Sequence, residues 1–368
     1  MCSRVVTCMR MYVERNRLSD LVCRVVVAIT TNDTRQARFG AAGACEAIMD
    51  MIRRHMAHGK VIGECCKALY ALAHDHEENA AKMDLAGVAP LLNRVLVKYA
   101  ENPIMSAFCL NAIEAVAIDE KVSSSFATSG ACDLIHIIFD RHREHVSLCE
   151  QVCKTVTRMI SSVDSNANRF STCRMENSVT DIFIRHISSA SYIIAANHMI
   201  IMMCMKNAVS VSKFVQSGLC DLFPDIINQY VENKIVITCT FNVILSILVE
   251  EDQIHLAYTR GICERVSEAI EKNINDQSAA DSGIQVITSL CQSSEECCHR
   301  LVELNICAKI VEAINLHITP SHIENDGYGM LSEICTLIEL LSVTVSASKG
   351  DFGVYGIDQA MMDLLSEI

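Results

Sequence analysis

His145, Cys149 and Cys153 stand four residues apart, so a helix would carry all three on one face. Three such ligands could begin a zinc site. Cys65-Cys66, Cys297-Cys298 and His74-Asp75-His76 raise the same question. A structural zinc takes four ligands, commonly in paired short spacings, and no such set is present. The cysteines have another explanation. Cys45, Cys132, Cys220, Cys263 and Cys307 occupy one slot of a repeating pattern, as small apolar side chains do in a core. No metal and no cofactor is therefore expected. His74-Asp75-His76 reads as a helix end, where imidazoles suit the negative pole of the dipole. The run from Asp140 to His145 reads as a solvated turn. Met199 to Met205 reads as core methionines at helical spacing. No phosphate loop, dinucleotide fingerprint or nucleophile elbow occurs, which argues against an enzyme.

A second set of residues points to binding. Lys67, Asn111, Lys154, His198, Asn242, Gln285 and Gly329 recur at intervals of 43 or 44 residues, and Arg24 lies 43 before Lys67. Each stands two places before a position that is always apolar, so the row faces away from the core. Asn and Gln offer a donor and an acceptor to a peptide main chain. Arg24, Lys67, Lys154 and Arg158 would favour acidic groups on a ligand. An acidic or phosphorylated segment in the N-terminal half of such a groove is one expectation. The competing one is that an exposed helix face must be polar somewhere.

The elements that would position this row come from a period. A hinge recurs at Gly43, Gly87, Gly130, Arg174, Gly218, Gly261 and Asn305, spaced by 43 or 44 residues. Four residues before it stand Phe39, Met83, Phe126, Phe170, Phe214, Ala257 and Leu301, and five after it Ile48, Leu92, Ile135, Val179, Phe223, Val266 and Ile310. The positions 9, 26 and 29 after the hinge are apolar in all seven units. Each unit reads as a short helix ending near the hinge, a second of about ten residues and a third of about fourteen. No unit buries its apolar face alone, so neighbours must stack. Residues 1–342 are expected to form one solenoid, with a partial unit over 1–32 made of helices over 2–13 and 21–29. Residues 343–368 read as an irregular stretch, Val343 to Gly356 (with Gly350-Asp351-Phe352-Gly353 as a loop), and a terminal helix, Ile357 to Leu365.

Charge and composition narrow the partners. Residues 1–180 carry 21 Lys and Arg against 20 Asp and Glu, whereas residues 181–368 carry 10 against 24. The acidic half would repel phosphate backbones, so nucleic acid is not expected. No apolar run is long enough to span a membrane. The 20 cysteines, with no secretory signal pattern at the start, fit a reducing intracellular compartment. The expected location is the cytoplasm, with the nucleus left open.

The hinge glycine, the apolar second-helix positions and the turn Gly87-Val88-Ala89-Pro90-Leu91-Leu92 resemble armadillo repeats over nearly the whole chain. The resemblance implies an all-α, right-handed superhelical solenoid of about eight three-helix repeats, with third helices lining a concave groove. At packing distances of roughly 8–10 Å, eight units would give a ladder of about 80 Å. The import-adaptor branch of the family presents groove Trp and Asn. This chain has no Trp, and its residues at the Asn position are Ala71, Ala115, Arg158, Met202, Ser246, Ser289 and Glu333, so import-adaptor function is set aside. The resemblance implies a scaffold or adaptor that binds a protein or extended peptide through Arg24, Lys67, Asn111, Lys154, Arg158, His198, Asn242 and Gln285. Two other readings stay open: the recognition domain of a larger kinase or ligase, and a regulator of a small GTPase.

Overall fold

The computed structural model describes residues 1–247, 258, 261–318, 328–345 and 352–353, and among them the regular elements are all helices. They fall into two compact units, Met1–Ser210 and Val211–Ile368.

The first unit opens with α1 (Cys2–Met11) and α2 (Asn16–Ile29). Four helical triplets follow: α3 (Asp33–Ala41), α4 (Ala44–Arg54) and α5 (Gly59–Ala73); α6 (Glu77–Leu85), α7 (Val88–Lys98) and α8 (Pro103–Val116); α9 (Glu120–Thr128), α10 (Ala131–Arg141) and α11 (Val146–Ser162); and α12 (Ser165–Thr172), α13 (Met175–Arg185) and α14 (Ala190–Lys206). The boundary between the units lies within α15 (Ala208–Gln216). The second unit continues with α16 (Phe223–Gln229), α17 (Lys234–Ile247), α18 (Ile262–Asn273), α19 (Gln277–Ser293), α20 (Glu295–Glu303), α21 (Ile306–His317) and α22 (Tyr328–Thr344).

Local chemistry sets these boundaries. The seven hinge residues all adopt left-handed backbone: φ is 78–89° at the five glycines, 64° at Arg174 and 58° at Asn305. Each is the N-cap of the helix that follows, so the chain reverses there at the cost of a conformation that favours glycine. Several first and third helices begin on side-chain caps. Asn32 accepts from the Arg35 N–H, Asn102 from Met105, Asp119 from Val122 and Asp276 from Ala279.

The repeating columns form the core. Phe39, Met83, Phe126, Phe170, Phe214 and Leu301 are fully buried, as are Ile48, Leu92, Ile135, Val179 and Val266. The recurrent cysteines 45, 132, 220, 263 and 307 are buried among them. Of the expected core methionines, Met199 and Met203 are buried, while Met205 is exposed. In the first unit the third helices stack side by side, α2 on α5, α5 on α8, α8 on α11 and α11 on α14. In the second, α17 packs on α19 and α19 on α22.

Some boundaries differ from the sequence reading. The helix expected over 21–29 begins at Asn16. The second helix after Gly218 is split: a 3-10 turn over Leu219–Leu222 precedes α16, because Pro224 has no N–H to continue the ladder. The irregular stretch does not start at Val343, since α22 runs to Thr344, and Phe352 is a buried helical residue. Ala257 and the terminal helix read over 357–365 lie outside the described residues. Among the described residues no single helix is long and apolar enough to cross a membrane.

Candidate peptide-binding groove

The predicted row sits on the third helices, and none of its members is buried. Arg24 (α2), Lys154 (α11) and His198 (α14) are exposed; Lys67 (α5), Asn111 (α8) and Arg158 (α11) are half-exposed. In the second unit Asn242 (α17) and Gln285 (α19) are half-exposed on adjoining third helices.

Two clefts open along the first unit's third helices. One of about 530 Å³ lies among α2, α5 and α8, and both Lys67 and Asn111 line it. The other, of about 480 Å³, lies among α8, α11 and α14, and it collects Lys154, Arg158 and His198. Five of the eight predicted residues are thus brought together in two neighbouring sites. Arg24 lines neither cleft.

The walls of the first cleft are aromatic as well as polar. The Lys67 ammonium lies 4.4 Å from the centre of the Phe108 ring and 2.9 Å from Glu64 Oε1. Tyr70 and His74 stack with ring centres 4.9 Å apart. Burial, then the negative charges of Glu114 and Asp75, raise the Tyr70 phenol above its ordinary value, so it is a neutral donor. Among the described residues the Asn111 amide has no hydrogen-bond partner, which leaves its donor and acceptor facing the cleft.

In the second cleft Lys154 Nζ is 2.6 Å from Glu150 Oε1, and Gln151 donates to Glu114 Oε2 at 2.6 Å. Burial would raise the Glu150 carboxyl, but hydrogen bonds from Lys154 and Ser191 bring it below its ordinary range. Arg158 Nη2 stands 3.8 Å from Asp75 Oδ1. Asp75 also lines the first cleft, so this ion pair marks the border between the two. The groove is therefore charge-compensated rather than openly basic: three of its four predicted cations carry a carboxylate partner. In the second unit Gln285 donates to Asp281 Oδ2 at 3.1 Å.

Several sequence readings change here. His76 is not at the end of a third helix. It caps the start of α6, its Nδ1 accepting from the Asn79 N–H at 3.3 Å, while His74 is the C-cap of α5 as read. The run ending at His145 is not wholly solvated, because His142 is buried and bonds to the Ala100 carbonyl at 2.7 Å. His145 is exposed at the N-cap of α11, whereas Cys149 and Cys153 are buried beneath it. Burial pushes the Cys149 thiol up to about 12 and raises Cys153 as well, so both are protonated at neutral pH. Among the described residues no three His, Cys, Asp or Glu side chains are grouped to hold a metal ion.

His142 belongs to a ladder that sequence reasoning missed. Twelve residues after each hinge stand His55, Tyr99, His142, His186, Tyr230, Asn273 and His317. His55 donates to the backbone carbonyl of Val13, Tyr99 to Met56, His142 to Ala100, His186 to Arg143, Asn273 to Val231 and His317 to Ile274, each 42 or 43 residues earlier. Each such bond staples one repeat to the one before it, and each histidine must carry its proton on Nε2 to make it. The register was visible in the sequence, but three residue types with one shared role hid it. Phe108 and Tyr70 were missed for a similar reason, since their columns vary in type from unit to unit.

No protein-family model and no curated protein matches this chain. Solved structures do. A crystal structure of an engineered protein superposes with a TM-score of 0.75 at 10% identity, covering 98% of this chain and 94% of that one. A designed armadillo repeat protein gives 0.56 at 13% identity, over 67% of this chain and 98% of its own. A structure described as a phosphorylation switch controlling the interaction between cadherin and beta-catenin gives 0.54 at 12% identity, over 98% of this chain and 79% of that one. With the hinges, triplets and stacked third helices, this likeness establishes an armadillo-type α-solenoid fold.

Proposed function

We propose that the first unit is a peptide-binding scaffold, whose third-helix groove holds an extended segment of another protein and performs no chemistry of its own. The observation that carries this is the convergence of Lys67 and Asn111 on one cleft and of Lys154, Arg158 and His198 on the next. Asn111 can hold a ligand main chain through its amide. The ring of Phe108 and the stacked Tyr70–His74 pair offer a flat apolar wall for a side chain.

The preferred ligand is an acidic or phosphorylated segment. Its anionic group would take over the cations that Glu64, Glu150 and Asp75 now partner, and a phosphate can outbid a single exposed carboxylate for a guanidinium. The structure involving cadherin and beta-catenin is an example of this fold in an interaction that phosphorylation controls. Adaptor work in the cytoplasm is consistent with this reading.

Replacing Lys67, Asn111 and Lys154 together with alanine tests it. Capture of partner proteins by the immobilised chain is expected to disappear while the helical circular-dichroism signal stays intact. Unchanged capture rules the groove out.

A further inference from the structure

One cation of the groove is held differently from its neighbours. The Lys67 ammonium lies 2.9 Å from Glu64 Oε1 and that of Lys154 2.6 Å from Glu150 Oε1, each partner being on the same helix. Among the described residues the Arg158 guanidinium makes no hydrogen bond, and its ion pair with Asp75, at 3.8 Å, is too long to be one. Its planar fork of donors is therefore open to an anion that can accept two bonds at once. Lys154 stands one helical turn before it, and both line the second cleft together with His198. In the register of Arg158, α5 and α8 carry Ala71 and Ala115, so among these three helices only α11 brings a charge there.

Asp75 is unusual in its own way. The left-handed backbone positions among the described residues are the seven hinges and Asp75, whose φ is 54°. That conformation is unfavourable for a residue with a Cβ, although Asp tolerates it better than most. The Asp75 carboxylate is 70% exposed, with Oδ2 3.4 Å from His74 Nε2 and Oδ1 turned to Arg158. Helix α8 lies in the stack between the two helices that bring Asp75 and Arg158 to the border of the clefts. So exposed a pair is weak, and it breaks at little cost.

The arrangement makes Asp75 an internal competitor for any anion that reaches Arg158. A ligand glutamate that takes the guanidinium replaces one carboxylate by another, and the exchange gains little. A phosphoryl group carries roughly 1.5–2 negative charges and three strong acceptor oxygens, so it can engage the Arg158 fork and Lys154 together. We infer that Asp75 makes this point of the groove respond to a phosphorylated serine or threonine, and not to Asp or Glu in the same place. The inference rests on the groove as the ligand-binding surface and adds which anion that surface selects.

Fluorescence anisotropy with three degenerate peptide pools tests it. The peptides are about 12 residues long, enough when extended to run past both clefts. They differ only at the centre, which is phosphoserine, glutamate or serine. On the unaltered chain the phosphoserine pool is expected to bind at least about tenfold more tightly than the glutamate pool, with glutamate and serine within about twofold of each other. Asp75→Asn removes the competitor, so the glutamate pool should then bind about three- to fivefold more tightly than the serine pool. Asp75→Gly, which suits the left-handed backbone, should do the same. Adding Arg158→Gln to Asp75→Asn should erase that gain. A glutamate-to-serine ratio that Asp75→Asn and Asp75→Gly leave unchanged overturns the inference. So does a glutamate pool that equals the phosphoserine pool on the unaltered chain. In either case the groove itself still stands if the Lys67/Asn111/Lys154 triple abolishes binding of the pools. Binding of no pool to any of these chains overturns both readings.

Discussion

In the first unit the solvent-facing row reads Arg24, Lys67, Asn111, Lys154 and His198, with Arg158 beside it, whereas in the second it reads Asn242, Gln285 and Gly329. The buried columns show no such divergence. Phe126 and Leu301 occupy the same fully buried slot, and His142 and His317 make the same staple. The difference teaches which constraints act on which residues. Stacking fixes volume and polarity at every buried position, because a void or an unpaired polar group there costs stability. The row facing solvent is free of that demand, so each unit has diverged there. The first row is cationic and held by Glu64, Glu150 and Asp75. The second pairs an amide with Asp281, whose carboxyl is raised by burial despite the hydrogen bond from Gln285.

If the buried columns are equivalent, cutting them should hurt both units alike. Phe126→Ala in the first unit is expected to cost about 3–5 kcal/mol and Leu301→Ala in the second about 2–5 kcal/mol, read from chemical denaturation. A negligible effect of one alone would break the equivalence.

Raised pH should also strike both units. Burial pushes Cys45 and Cys132 up to about 12 and Cys220 to about 11, from an ordinary value of 9.0. Above about pH 9 the unfolded chain releases these protons while the folded one keeps them. Stability is therefore full below that pH and falls as pH climbs toward the folded values, by at most about 1.4 kcal/mol per pH unit for each thiol. A melting temperature that holds steady from pH 8 to about 10.5 would contradict the burial of these groups.

The staples come next in size. His142→Leu and His317→Leu each leave a carbonyl unpaired, at an expected cost of about 1–3 kcal/mol. Smallest is the effect of Asn242→Ala with Gln285→Ala. This double change should leave both stability and partner capture near the wild type, in contrast with the Lys67/Asn111/Lys154 triple; a loss of capture would extend the binding surface to the second unit.

Much of the fold was legible because a solenoid writes its contacts at a constant interval. The hinges at Arg174 and Asn305 were found by spacing alone, although neither is glycine, and both take the left-handed conformation. The outward direction of Lys67, Asn111 and Lys154 was legible from the apolar position two places on. The pairing of Lys67 with Glu64 and of Lys154 with Glu150 lay within reach too, at three and four residues' separation along a helix. The Arg158–Asp75 pair was not, since its partners stand 83 residues apart and meet only through the stacking of helices. Nor was the cleft beside Phe108, because the space between helices depends on side-chain volumes in three units at once.

The most direct measurement is hydrogen–deuterium exchange on the chain with and without a partner that it captures. Slowed exchange confined to α5, α8, α11 and α14, centred on Asn111 and Arg158, is the expected result. Protection of the second helices α4, α7 and α10, with the third helices unchanged, would contradict binding in the groove.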